Sequence, residues 1–344
     1  MILVTGATGF LGHNLVAYLT ASGHPVRALV RETSATRYLR DLGVELAVGD
    51  VCDVGSVNRA MTGCQYLVHG AGLFRFWGDP RAFERTNVEG TAWVLEAARR
   101  HNVEKVVHVS TVAVVGAPPP EGAIDEDTPC RPADAYQRSK LDGENMARMF
   151  HQGTHLPVVI LRPGAFYGPW GRYAFNRLFF EDPLKGLRIQ VHLGKRLTFP
   201  VFVPDVARAI LSALKLGRPG ETYNVSGEPL THREANIIIS RVAGILPWRL
   251  NVPAAAMLAL ARAWTRMAER TGREPYYPIS LAGYVFHDWR VSSSKAQAEL
   301  GFVPTPFEAG ARQTLEWYWS SGLFRRPRAT PVRPTANPAI AGQK

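Results

Sequence analysis

The N-terminal run Ile2-Leu3-Val4-Thr5-Gly6-Ala7-Thr8-Gly9-Phe10-Leu11-Gly12 decides the fold. Ile2–Thr5 reads as a short buried strand. Leu11, Leu15 and Leu19 then recur at spacing four, which predicts a helix over residues 8–20. Three glycines stand between the strand and the helix. Gly6 permits the tight turn, Gly9 lets a pyrophosphate approach the backbone, and Gly12 allows the helix to pack closely. The free amides of the helix N-terminus stabilise the anion. Gly6, Thr8, Gly9, Phe10, Leu11 and Gly12 are therefore candidate dinucleotide contacts. No GxxxxGK[ST] segment occurs in the chain, which disfavours a nucleoside triphosphate loop.

Outward from this loop, strand patterns at 26–30, 44–48, 66–69, 105–109 and 158–161 alternate with helical stretches, notably 82–100 and 133–150. That alternation predicts an α/β fold with a parallel sheet covered on both faces. Right-handed crossovers make it a doubly wound Rossmann sheet. Past residue 165 the pattern loosens, and residues 172–203 are rich in aromatic and basic side chains. Residues 204–226 read as a helix and a strand returning to the sheet. Thr231 and Glu234 form a capping-box pattern. The helix expected at 253–270 carries Met257, Leu260, Ala261, Trp264, Met267 and Ala268 on one stripe. A last helix is expected at 307–319. The resulting division is a nucleotide-binding domain over 1–165, a smaller, mostly helical substrate domain over 166–322, and a disordered, basic, proline-rich tail over 323–344.

The formal net charge is +11 over 344 residues. Arg325, Arg326, Arg328, Arg333 and Lys344 in the tail supply nearly half of it, with no acid among the last twenty residues. The remainder is spread thinly, so no nucleic-acid partner is expected. No secretory leader is visible and no apolar run reaches the ~18 residues of a spanning helix. Cys52, Cys64 and Cys130 form no CxxC pair, which fits reduced thiols and a cytoplasmic location. No metal site is expected. The 253–270 stripe, flanked by Arg262, Arg266 and Arg270, would permit peripheral membrane contact; the alternative is an ordinary packing helix.

The chemistry is expected at Tyr136-Gln137-Arg138-Ser139-Lys140. On a helix, positions four apart share a face, so the Lys140 ammonium would sit near the Tyr136 phenol. A free phenol titrates near ~10, and a neighbouring cation lowers that value. Tyr136 would then exchange a proton with a carbonyl or alcohol oxygen while a hydride moves to or from a nicotinamide. Lys140 would also hold the ribose hydroxyls. At the end of the second strand an acidic residue would favour NAD. The sequence has Val30-Arg31 there, and a guanidinium suits a 2′-phosphate. NADP is expected, with NAD as the alternative.

With these motifs in place, residues 1–320 resemble the extended short-chain dehydrogenase/reductase, or NAD-dependent epimerase/dehydratase, family. Supporting segments are the TGxxGxxG loop, Gly49-Asp50-Val51, His69-Gly70-Ala71-Gly72, Asn87-Val88-Glu89-Gly90-Thr91, Val109-Ser110-Thr111 and Arg162-Pro163-Gly164. The resemblance implies that Asp50 and Val51 lie near the adenine and Ala71 beside the cofactor. It also implies a structural role for Asn87 next to the cofactor, and Pro163 beside the nicotinamide. It makes Thr111 the hydroxyl that holds the substrate oxygen, with Ser110 as alternative. It further implies a homodimer through helices 82–100 and 133–150.

Within that family, Arg27–Arg31 and the late run 288–302 are most similar to the branch of dihydroflavonol-type reductases, 3β-hydroxysteroid dehydrogenases and hopanoid-associated epimerase-like proteins. A hydrophobic small-molecule ketone or secondary alcohol is the implied substrate, of steroid, terpenoid, flavonoid or lipid type. Nucleotide-sugar dehydratases carry Asp-Glu after the catalytic Thr, whereas Val112-Ala113 follow here. A nucleotide-sugar epimerase with bound NAD and a noncatalytic redox sensor are the alternatives. Phe74, Phe76, Trp77, Tyr167, Trp170, Tyr173 and Phe175 would either line an apolar pocket or pack the second domain.

Overall fold

The computed structural model describes residues 1–326; the tail beyond, including most of the basic proline-rich segment, lies outside the described residues. Seven strands, β1 (Ile2–Thr5), β2 (Val26–Val30), β3 (Glu45–Val48), β4 (Tyr66–His69), β5 (Lys105–Val109), β6 (Val158–Pro163) and β7 (Thr222–Val225), form one parallel sheet. Their order is β7-β6-β5-β4-β1-β2-β3. The principal helices are α1 (Phe10–Ala21), α2 (Gly90–Arg100), α3 (Ala135–Thr154), α4 (Val203–Leu216), α5 (His232–Ala243), α6 (Ala254–Thr271) and α7 (Phe307–Ser320).

Both strand faces are apolar because both are covered. Val4, Val68, Val107 and Val159 point to one side, where they pack with Leu15 of α1 and Ile210 of α4. Leu3, Leu67, Val106 and Ile160 point to the other, against Met61, Val94 and Ala147. Two-residue alternation along parallel strands gives each layer its own core. The strand order reverses between β1 and β4. The crevice at the strand C-termini on that line is where a doubly wound sheet holds its ligand.

The stretch expected as one helix over 82–100 is three pieces: Pro80–Glu84, a wide π-turn at Arg85–Glu89, and α2. The reason is Asn87. Its amide donates to the Leu73 carbonyl at 3.0 Å and to Ser139 Oγ at 2.8 Å, and its Oδ1 accepts from the Leu73 amide at 2.7 Å. A π-bulge is the ordinary way to turn such a side chain inward without ending a helix.

The second lobe packs around Tyr167, Phe180, Phe202, Ile239, Leu315 and Tyr318. The capping box forms at the start of α5: the Thr231 hydroxyl accepts from the Glu234 amide, and Glu234 accepts from the Thr231 amide. The stripe on α6 splits. Ala261 and Ala268 are buried and Met257 and Trp264 half-buried, but Leu260 and Met267 are 42% and 55% exposed. At 100° per residue, positions 260 and 267 fall on the margin of the buried face. Among the described residues, no helix is long and apolar enough to cross a membrane.

Candidate active site

The glycine loop is built as its spacing predicts. Gly6 adopts φ +75°, and a Cβ there would lie 2.6 Å from the Gly70 carbonyl oxygen. At Gly12 a Cβ would come within 2.1 Å of the Gly6 carbonyl, so only a hydrogen fits where α1 crosses the turn. Gly9 caps α1 with no side chain across its free amides and no acid in the first turn. The cradle therefore offers bare N–H groups and the positive end of a helix, which fits a pyrophosphate. The turn after β4 is pinned to it: Thr5 Oγ1 accepts from the Ala71 amide at 3.1 Å and bonds His69 Nδ1 at 2.8 Å.

A cleft of about 540 Å³ opens from this cradle. Gly6, Gly9, Phe10, Leu11, Gly12 and Arg31 line its cofactor end. Ser110, Thr111, Tyr136, Lys140 and Pro163 line its middle. The Arg31 side chain is exposed and makes no ion pair among the described residues. Thr8, Asp50, Val51, Ala71 and Asn87 are not among the lining residues. Asp50 instead accepts from the Cys52 amide at 2.9 Å and shapes the turn after β3. Val51 is buried where Gly90 lets it close on α2. Ala71 and Asn87 act one layer back, on the walls that hold the cleft open.

Asp134 caps α3 by accepting from the Gln137 amide at 2.8 Å, which sets Tyr136 in the first turn and Lys140 one turn on. Thr111 lies two residues past β5 and accepts from the Ala113 amide at 3.2 Å. The Tyr136 ring packs on Phe74, with centroids 4.7 Å apart. The Lys140 ammonium is buried and donates to the Val109 carbonyl at 2.7 Å. Burial pulls its pKa down to about 8 against the pull of Glu144. The expectation that Lys140 lowers the Tyr136 phenol is not met. Burial first, and then the Asp134 carboxylate, raise that phenol well above its ordinary value, with the Thr111 hydroxyl acting the other way. Lys140, whose ammonium donates to the Val109 carbonyl, is not among the groups that move the phenol.

Behind Lys140 lie two buried histidines. His69 is held neutral, its pKa pushed down to about 3 by burial and by Lys140. His108 is driven the same way by burial, Lys140 and His69.

The far wall is aromatic. Phe74, Phe76, Tyr173 and Phe175 line the cleft, as does Tyr284, whose hydroxyl accepts from Gln137 Nε2 at 2.9 Å. Of the other aromatics expected there, Tyr167 is core. Trp170 stacks on His13 at 4.3 Å on the outside of the loop. Trp77 lies off the lining. Tyr284 was invisible to sequence reasoning: it sits in a one-turn helix about 150 residues from Tyr136, with no motif around it. Among the described residues no group of three His, Cys, Asp or Glu side chains is placed to hold a metal ion.

The sequence profile of the NAD dependent epimerase/dehydratase family matches residues 2–226. Sterol demethylase protein B of Methylococcus capsulatus is 33% identical over 94% of this chain and 99% of the relative. A 4-hydroxy-2-methyl-3-oxo-4-farnesyl-3,4-dihydroquinoline-1-oxide ketoreductase of Stigmatella aurantiaca is 31% identical over 87% of this chain and 91% of the relative. Among solved structures, the dTDP-glucose 4,6-dehydratase DesIV of Streptomyces venezuelae, with NAD and TYD bound, superposes with a TM-score of 0.76. It is 26% identical and covers 94% of this chain and 98% of its own.

Proposed function

The chain belongs to the NAD dependent epimerase/dehydratase family and is an enzyme of the extended short-chain dehydrogenase/reductase type; from that premise we propose that it interconverts a ketone and a secondary alcohol on a hydrophobic substrate, with NADP. The observation that carries the reading is the apolar aromatic wall facing Tyr136, formed by Phe74, Phe76, Tyr173 and Tyr284. A ring or chain ketone packs against such a wall, and a hydrated sugar gains little from it. Val112-Ala113, in place of an acidic pair after Thr111, supports the same reading over dehydration. The ketoreductase named above is a relative of that chemistry. Arg31, exposed at the cofactor end of the cleft, supports NADP through its fit to a 2′-phosphate.

The Gly6–Gly12 loop and Lys140 would hold a nicotinamide dinucleotide, which would supply a hydride to the carbonyl carbon in reduction or take one from the carbinol carbon in oxidation. Thr111 donates a hydrogen bond to the substrate oxygen. Tyr136 gives its phenolic proton to the forming alkoxide in reduction and recovers one from the alcohol in oxidation. The raised phenol keeps that proton in place at neutral pH until an alkoxide forms. Lys140 fixes the β5 terminus through Val109 and, as the only lysine lining the cleft among the described residues, would hold the cofactor ribose.

Two outward apolar side chains on α6 are ordinary for a surface helix, and membrane contact is no part of the proposal. A cytoplasmic location, with three free thiols among the described residues, belongs to it.

The test is NADPH and NADH oxidation with a panel of steroid, terpenoid and alkyl ketones beside dTDP-glucose and UDP-glucose. Turnover of hydrophobic ketones with NADPH is expected. In Tyr136→Phe, turnover should fall by roughly 10² or more while cofactor affinity holds. Turnover of the sugar nucleotides alone, or near-normal rates in Tyr136→Phe, would overturn the reading.

A further inference from the structure

The cleft does not end at the aromatic wall. Leu178, Phe179, His232, Leu281 and Val285 line it and also line a second, adjoining cavity of about 100 Å³ beneath α6. The inner face of α6 roofs this chamber with Met257, Leu258 and Ala261. Ile189, Val191 and Phe286 close its sides. The one acid in its wall, Asp182, is already engaged, accepting from the Tyr276 hydroxyl at 2.5 Å and the Tyr277 hydroxyl at 3.2 Å. Among the described residues no lysine or arginine lines the chamber.

From this geometry we infer that the chamber holds an aliphatic arm of the substrate, unbranched or isoprenoid, whose carbonyl lies at Tyr136; this rests on the ketone-reduction reading above. The two cavities share the five residues between them, and the arm would pass where those side chains part. The walls give it its chemistry: they are mostly apolar, with Gln190, Asn236 and His232 the polar side chains besides Asp182 and Tyr277, and burial of an aliphatic chain against them is favourable. A nucleoside diphosphate is refused there: its phosphates would meet a carboxylate and no cation, at the full cost of losing water.

The chamber also explains why α6 is amphipathic. Its inward residues make a lining, and its outward face carries Ala263, Arg266 and Met267. Residue 261 is the point of control. It is a buried alanine at the middle of the roof, so a larger side chain there reaches into the recess from a fixed helix.

The experiment uses the full chain with NADP bound and a series of 2-ketones from 2-butanone to 2-tridecanone. Binding is followed by calorimetry and turnover by NADPH oxidation. Affinity should rise about three- to fourfold per added methylene, the transfer value for a buried methylene, and level off once the recess is full. In Ala261→Leu the plateau should come earlier, and in Ala261→Trp the long-chain gain should be lost. Ala263→Trp, on the outer face of the same helix, should keep the wild-type chain-length profile. The smaller Leu variant keeps the test decisive where Trp impairs folding. A flat wild-type profile, or an unchanged one in both Ala261 variants, would overturn the chamber. Chain-length-dependent binding that Ala261→Trp abolishes, without any ketone being reduced, would leave the chamber standing and remove the proposed reaction.

Discussion

Replacing Lys140 with Met should make the protein more stable at neutral pH while disabling it. The ammonium is buried, and its pKa falls from 10.5 to about 8. Each pH unit between those values is worth ~1.4 kcal/mol, so holding the charge in the folded state costs about 3 kcal/mol. Losing the bond to the Val109 carbonyl gives back about 1 kcal/mol. Lys140→Met should therefore gain about 2 kcal/mol at pH 7. The sign follows from proton counts. Below about pH 8 the lysine is protonated both folded and unfolded, and the variant's advantage is constant. Between about 8 and 10.5 the unfolded chain binds more protons than the folded one. The wild type then gains stability with rising pH, and the advantage shrinks toward zero or reverses. Urea unfolding followed by circular dichroism at half-unit steps from pH 6.5 to 10.5 reads the difference curve, in which groups not coupled to Lys140 cancel and His69 and His108, already held neutral by burial, stay outside the window. A flat difference across that window, or a variant less stable than wild type at pH 7, would refute the argument.

Arg31→Ala should weaken NADPH by roughly ten- to a hundredfold, the range of a charge-assisted bond, and leave NADH nearly unchanged in fluorescence titrations; equal losses for both would mean Arg31 does not read the 2′-phosphate. Thr111→Ala should lower kcat by about 10². Ser110→Ala should keep most activity and melt no lower than wild type, since the Ser110 hydroxyl is buried without a partner among the described residues. The reverse ranking of the two rates would exchange their roles. Gly12→Ala should cost about 1–3 kcal/mol through overpacking against the Gly6 carbonyl, and dinucleotide affinity should fall with it; an unshifted denaturation midpoint would contradict that contact.

The sheet was legible because its signals are local. Each strand is four to six residues long with apolar residues at its core, and the Gly6 to Gly12 run demands one geometry. That Tyr136 and Lys140 would line one cleft was legible for the same reason, since four residues of helix bring them to one face. What escaped was set by tertiary packing. The break at Arg85–Glu89 exists because Asn87 bonds across to Leu73 and Ser139, partners 14 and 52 residues away. Tyr284 reaches the cleft from a segment whose sequence carries no periodic signal. Tyr167 and Tyr173 look alike on paper, yet one is sealed in the second lobe and the other faces the cleft. The direction of the Tyr136 shift also needed coordinates, because neither its desolvation nor the carbonyl that engages Lys140 is written in the spacing.

The path of the chain between the lobes bears on how such a protein changes over generations. The chain leaves the sheet after β6, builds part of the second lobe, and returns as α4 and β7. It leaves again for α5 and α6, sends the Ser294–Leu300 helix back against the sheet core, and ends in the second lobe with α7. A fragment stopping at residue 165 would bare the β6 edge and the face that Ile210 covers. Neither lobe is a cassette that recombination can lift out whole. New substrates must then be reached by single replacements in the walls, at positions such as Ala261 or Tyr284, while the threading between the halves is inherited intact.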